Sequence, residues 1–220
     1  MKRNILFCVL LALVLPLFTQ PAAALLSNQR ATIVEAVTRL PVINVIVPSS
    51  VDVMINPLQM PVQVNGEEVR DQIICQPSFI ANASDAALKV DITVTGAVAQ
   101  KSDMQLVSSS TGGTGTAKNA FIYFEIMQAT ESQVENERVP WEPAYDASKH
   151  LVVKDGVAAA KQNVVTLPPM TKDYEIAKNG YAAFRLAGDA AKDPATPWNT
   201  NDGINVTVAF TFTPLSYDEW

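Results

Sequence analysis

The chain has 220 residues, 48% of them hydrophobic and 17% charged, which is enough apolar material for one sizeable core without covalent staples. A net charge of −6 argues against nucleic acid or an anionic membrane as a partner, because both are held by clustered Lys and Arg. Outside the apolar N-terminal run that holds Cys8 there are one histidine and one cysteine, too few for the Cys and His ligand set of a zinc centre.

Residues 1–24 read as a secretory signal peptide. Met1-Lys2-Arg3-Asn4 is a basic start, residues 5–18 are almost wholly apolar, and Ala22-Ala23-Ala24 supplies the small residues of a cleavage site. As a helix the apolar run reaches about 21 Å at about 1.5 Å per residue, short of a bilayer core of about 30 Å. Cleavage is therefore favoured over an uncleaved anchor and would leave Leu25 as the mature N-terminus. It removes Lys2 and Arg3, so the mature chain is two charges more negative. It also removes Cys8, so Cys75 has no intramolecular disulfide partner. Residues 215–220 show no hydrophobic tail and no sorting motif. The expected product is secreted, extracellular or at the cell surface, with no membrane contact after cleavage.

Residues 25–220 read as a single domain. Its first element, 31–40, is ambiguous. Ile33, Val37 and Leu40 make a helical stripe, but the β-branched residues Thr32, Ile33, Val34, Val37 and Thr38 tip it toward a strand. Residues 42–47 and 51–55 are β-branched runs parted by Pro48-Ser49-Ser50, and 72–80 is a weaker strand. Leu88, Val90, Ile92 and Val94 alternate with Lys89, Asp91, Thr93 and Thr95, the pattern of a half-buried strand. Residues 108–118 form a Gly/Ser/Thr-rich loop. Residues 121–127 are apolar on both faces, as suits a central strand covered on both sides.

Residues 130–150 are charged, carry Pro140, Trp141 and Pro143, and read as a long loop with a short helical turn. Residues 163–167 form a weak strand, and Ala182, Phe184 and Leu186 mark another. The clearest alternation is the last: Ile204, Val206, Val208, Phe210 and Phe212 against Asn205, Thr207, Ala209, Thr211 and Thr213. Prolines sit at the edges of these runs, where they end strands and blunt sheet edges. The fold class expected is all-β, an antiparallel β-sandwich of jelly-roll or Greek-key type with long loops.

No catalytic, cofactor-binding or metal-binding residue is assigned. His150, the single histidine, sits in a polar stretch and reads as a surface residue, not the base of a nucleophilic triad. Cys75 reads as a buried inert thiol, with an intermolecular disulfide as the alternative. The Gly-rich loop lacks the Gly-Lys-Ser/Thr ending that opens a helix in a P-loop, so Lys118 reads as part of a solvated loop. The pairs Glu67/Glu68, Glu135/Glu137 and Asp218/Glu219 are sequence neighbours, which a strand points to opposite faces, so they do not suggest acid–base catalysis. Asp189, Asp193, Asn199, Asn201 and Asp202 offer oxygens for calcium, but turn formation explains them as well. Trp141, Trp198 and Trp220 could form a sugar platform, or plug the ends of the core.

A leader, a Val/Thr-rich β-sandwich, residues 180–188, Trp198 to Asp202 and the strand 204–214 together give a layout that resembles Gram-positive exported surface and matrix proteins of the TasA/camelysin and WxL-like kinds. The Trp-x-Leu motifs of the WxL proteins are absent, and no metal motif of a camelysin protease is present. The resemblance implies a jelly-roll subunit that assembles outside the cell and carries no site residue over. An open sheet edge can be completed by a segment of a neighbour, and 31–47 is a β-capable candidate for such a donor, although it can also pair within its own sheet. The expected function is thus a non-enzymatic structural or adhesive subunit of an extracellular matrix, with filament formation through that N-terminal donor strand as one mode of assembly. Its partners would be copies of itself or other cell-surface proteins. A carbohydrate- or cell-wall-binding module is the alternative.

Overall fold

The structure is a computed structural model that describes residues 42–59, 62–64, 67–69, 72–142, 144–169, 180–192 and 194–215. They belong to one unit, Pro41–Trp220. The leader and the strand expected over 31–40 lie outside the described residues.

The fold is an all-β sandwich. One sheet has the order β1 (Val45–Ile46), β6 (Ser78–Asn82), β12 (Tyr181–Ala190), β9 (Asn119–Ala129) and β10 (Leu151–Val152), with β8 (Gln105–Leu106) added in parallel to the start of β9. The second sheet is β11 (Ala159–Leu167), β7 (Leu88–Val98) and β13 (Ile204–Pro214), all antiparallel. Two short ladders complete it, β2 (Val53–Ile55) with β5 (Ile73–Cys75) and β3 (Val62–Val64) with β4 (Glu67–Val69).

Period-2 patterning decides which face each strand buries. Leu88, Val90, Ile92 and Val94 of β7 are at most 2% exposed, while Lys89, Asp91, Thr93 and Thr95 lie half-buried on the other face. From the opposing sheet come Ile80, Ile122, Phe124, Ala182, Phe184 and Leu186. Each large side chain so buried contributes about 1.5–3 kcal/mol. Phe124 and Phe184 stack with centroids 5.6 Å apart. Strand β9 is covered on both faces, as its two-sided apolar sequence requires. Ile122 and Phe124 face the interior, and Phe121 and Tyr123 are buried on the outer face.

Backbone irregularities have local causes. Strand β11 is bulged between Lys161 and Val165, where Asn163 adopts φ 50° and donates its N–H to Asp91 Oδ1 at 2.7 Å. Buried amides fasten the layers. Asn82 Nδ2 donates to the carbonyls of Ala86, Leu167 and Pro168, and Gln72 Oε1 accepts from Ala190 N–H.

The strand expected over 72–80 is two strands. Pro77 has no N–H for a ladder and interrupts the run, so Ile73–Cys75 pairs with β2 while Ser78–Asn82 pairs with β1 and β12. The turn expected within 130–150 is α1 (Glu131–Glu135), opened by a capping box of Thr130 and Gln133.

Candidate functional site

The second sheet ends on β13, and this edge is where the sandwich is open. Among the described residues β13 pairs with β7 alone, over its whole length from Ile204↔Val98 to Pro214↔Leu88. Its other side therefore presents up to 11 residues of backbone without a strand partner. The inward row, Ile204, Val206, Val208, Phe210 and Phe212, packs on the core, yet every member is only half-buried. The matching row on β7 is fully covered. The difference is that β7 is flanked by strands on both sides and β13 on one.

Beside β13 a cavity of about 340 Å³ enters the core. Phe124, Phe184 and Phe210 line it, with Val51 and Val53 from the segment after β1 and Cys75 from β5. Polar residues share the lining: Ser49, Ser50, Asp52, Arg185 and Asn205. Residues 42–47 do not fill it. Val42 N–H donates to Asp85 Oδ1, Asn44 N–H to Ser84 Oγ, and β1 pairs with β6. At the same turn Leu215 N–H donates to Ala87 O, so Val42 lies near the end of β13.

Three polar clusters lie elsewhere. Lys118, expected in a solvated loop, is 2% exposed, with Nζ 2.6 Å from Asp103 and 2.9 Å from Asp202. The Asp103 contact, helped by Asp202, outweighs desolvation and holds the ammonium above its ordinary pKa. Burial opposes ionisation of Asp202, but hydrogen bonds from Lys118, Asn199 N–H and Ser102 Oγ outweigh it and hold the carboxyl below its usual range. Both groups stay charged, which makes the cluster a structural tie and not a nucleophile with its base.

Asp189 clamps the Gly-rich loop, accepting from Ser110 Oγ, Thr111 N–H and Thr111 Oγ1. The oxygens weighed for calcium are therefore dispersed. Asp189 faces the loop, Asp202 faces Lys118, Asn199 and Asn201 close a turn, and Asp193 lies outside the described residues. Among the described residues no group of three or more His, Cys, Asp and Glu is placed to hold a metal ion.

The third cluster overturns the expectation of a surface histidine. His150 is 7% exposed. Its ring stacks on Tyr123 at 4.9 Å, Nδ1 accepts from Asp146 N–H at 3.0 Å, and Nε2 lies 3.5 Å from Glu125 Oε2. Glu125, itself buried, also accepts from Arg185 Nε, and the Arg185 guanidinium lies 4.8 Å from the Trp141 ring. The reason is outer-face burial: β9 presents Phe121, Tyr123 and Glu125 outward, and Tyr145 and His150 pack over them.

The chain matches no family model, no curated protein and no solved structure. Function must be argued from the geometry itself.

The remaining sequence candidates are separated. Trp141 covers Arg185, and Trp198 Nε1 donates to Ala191 O while its ring packs on the core, so neither stands in an exposed aromatic row. Trp220, Asp218 and Glu219 lie outside the described residues. Glu135 and Glu137 are exposed at the end of α1, and Glu67 and Glu68 lie in β4. Cys75, half-buried, lines the cavity instead of sitting sealed in the core. Alternation in 204–212 identified the inward row of the opening. Nothing local in a strand says whether its second neighbour is present, so the edge itself was not legible.

Proposed function

We propose that the protein is a non-enzymatic, secreted extracellular subunit of structural or adhesive character, completed by a β-strand from a neighbouring copy. The observation that carries this reading is the open edge of β13 above a half-buried apolar row and a cavity. An unpaired edge with alternating apolar residues is a template for strand addition: backbone groups give affinity, and side chains entering the cavity give register. The donor in this reading is the N-terminal segment before Val42. The leader-like residues 1–24 support export. Residues 25–41 are long enough to span β13, and Val42, which follows them, lies near the end of that strand. Transfer of such a segment from copy to copy is head-to-tail, and head-to-tail contacts that do not close into a ring make filaments. A non-enzymatic role is favoured because the only histidine is engaged at Nδ1 and enclosed, and because the Lys118 cluster is held as an ion pair.

Light scattering tests the reading on two chains, one starting at Leu25 and one at Pro41. Residues 42–47 stay in both, since they pair within their own sheet. The expected result is growth to large species for the longer chain and a folded monomer for the shorter. Monomers of both at high concentration would overturn it.

A further inference from the structure

We infer that residues 144–150 form an acid-releasable strap, with His150 as its clasp, over a buried aromatic layer on the outer face of the first sheet. The layer is continuous. Phe121 and Tyr123 are 2% and 6% exposed, and Tyr145 of the strap meets Phe121 edge-on at 5.1 Å and Tyr123 at 5.2 Å. His150 completes the layer by stacking on Tyr123 with planes 15° apart. Its Nδ1 is an acceptor, since Asp146 N–H points at it, and this fixes the neutral tautomer with the proton on Nε2, toward Glu125.

A second proton has only Nδ1 to go to. It removes the acceptor from Asp146 N–H and sets two donors against each other, while a cation is placed at a buried position. The charges facing the imidazole come from each element packed on it. Glu142, just before the strap, and Asp146 of the strap favour the cation, and Lys149 of the strap and Lys161 of β11 oppose it. Glu125 of β9 faces Nε2, but it already holds Arg185 of β12. Burial is the largest influence, and the imidazole is held below its ordinary 6.5.

The sign follows. A histidine whose folded pKa is depressed is most stabilising above its unfolded pKa. As pH falls below about 6.5, opened forms take the proton first and the closed strap loses ground until the folded pKa is passed. Besides the clasp, the strap is held by Tyr145 against Phe121 and Tyr123 and by two exposed polar contacts, Lys149 with Glu142 and Lys161 Nζ with the Ser148 carbonyl. Opening uncovers Phe121 and Tyr123, so acid converts a closed outer face into an apolar aromatic one. This is independent of the β13 edge.

Because His150 is the only histidine, its imidazole signal in NMR is unambiguous, and amide exchange of 144–149 can be followed beside it in the Leu25–Trp220 protein. The expected result is an imidazole midpoint below 6.5, with a loss of strap protection between pH 7.5 and 5 as the imidazole takes up its proton, while β9 and β12 amides stay protected. In H150N the side-chain oxygen still accepts Asp146 N–H, and strap protection should become independent of pH. An imidazole that titrates at or above 6.5, or one that titrates low while strap protection stays flat, overturns the inference. If H150N does not fold, these two wild-type readouts still decide.

Discussion

Phe184 of β12 and Phe210 of β13 meet across the interior with ring centroids 5.3 Å apart, yet Phe184 is 5% exposed and Phe210 is only half-buried. The same contact is sealed from one sheet and open from the other. Phe184 has β6 and β9 on either side of its strand, whereas among the described residues Phe210 has β7 alone. A ring that keeps part of its surface in water contributes less to folding, and its surplus is what an added strand would cover.

Alanine substitutions should read that asymmetry. F184A removes a fully enclosed ring and is expected to cost about 3–5 kcal/mol in urea unfolding. F210A leaves a cavity already connected to solvent and should cost roughly half as much. Equal losses would mean that the β13 row is covered in solution, and the opening would then not be a property of the free protein.

Gly188 should tolerate nothing larger. It has φ 145°, a region that only glycine enters readily, and a Cβ there would lie 1.9 Å from the Phe121 carbonyl oxygen. The obstacle is backbone of the neighbouring central strand, so it cannot turn aside. G188A is expected to lose several kcal/mol or to fail to fold, whereas G112A, at φ 61° with nothing within 4 Å, should cost about 1 kcal/mol. Comparable melting temperatures for the two variants would contradict this account.

How much of this was legible in the sequence depends on whether a signal is local. The alternation in β7 and β13 gave both strands and their buried faces, because one side of each meets the core and the other meets water. The two-sided apolar run around Phe121–Phe124 gave a central strand for the same reason. The Asn65-Gly66 pair is a local hairpin signal for the antiparallel ladder of β3 and β4. His150 and Lys118 were misread because polar neighbours in sequence suggested solvent. Their burial comes from partners far along the chain, Glu125 and Tyr123 for one and Asp202 for the other. The open edge was illegible for a related reason, since pairing is decided by topology and not by the strand's own residues.

The Lys118 tie should respond unequally to removal of its partners. In K118M the carboxylates of Asp103 and Asp202 lose the cation between them, whereas in D202N Lys118 keeps Asp103. The larger fall in melting temperature is therefore expected for K118M. The sign with pH also follows. Asp202 is held below its usual value, so its contribution is present above the ordinary carboxylate pKa near 3.8 and is lost as pH falls through the lowered value. Lys118 is held above 10.5, so its contribution persists until alkaline pH exceeds that value. A wild-type minus K118M stability difference that is flat from acid to strongly alkaline pH would refute the assignment.

Cys75 offers the sharpest handle on assembly. It is the only thiol of the chain after Leu25, lies half-buried on the cavity wall and pairs across its ladder with Val53. A bulky maleimide there should fill the opening that a donor strand must enter, whereas a methylthio group adds little volume. The expected outcome is that both labelled proteins keep their far-ultraviolet spectrum, the methylthio protein grows in light scattering like the unlabelled one, and the bulky label holds it as a monomer. Equal growth of both would mean that the cavity is not where neighbouring copies join. Loss of the native spectrum on bulky labelling would mean that the wall at Cys75 is part of the sealed core, and the open-edge reading of β13 would fail with it.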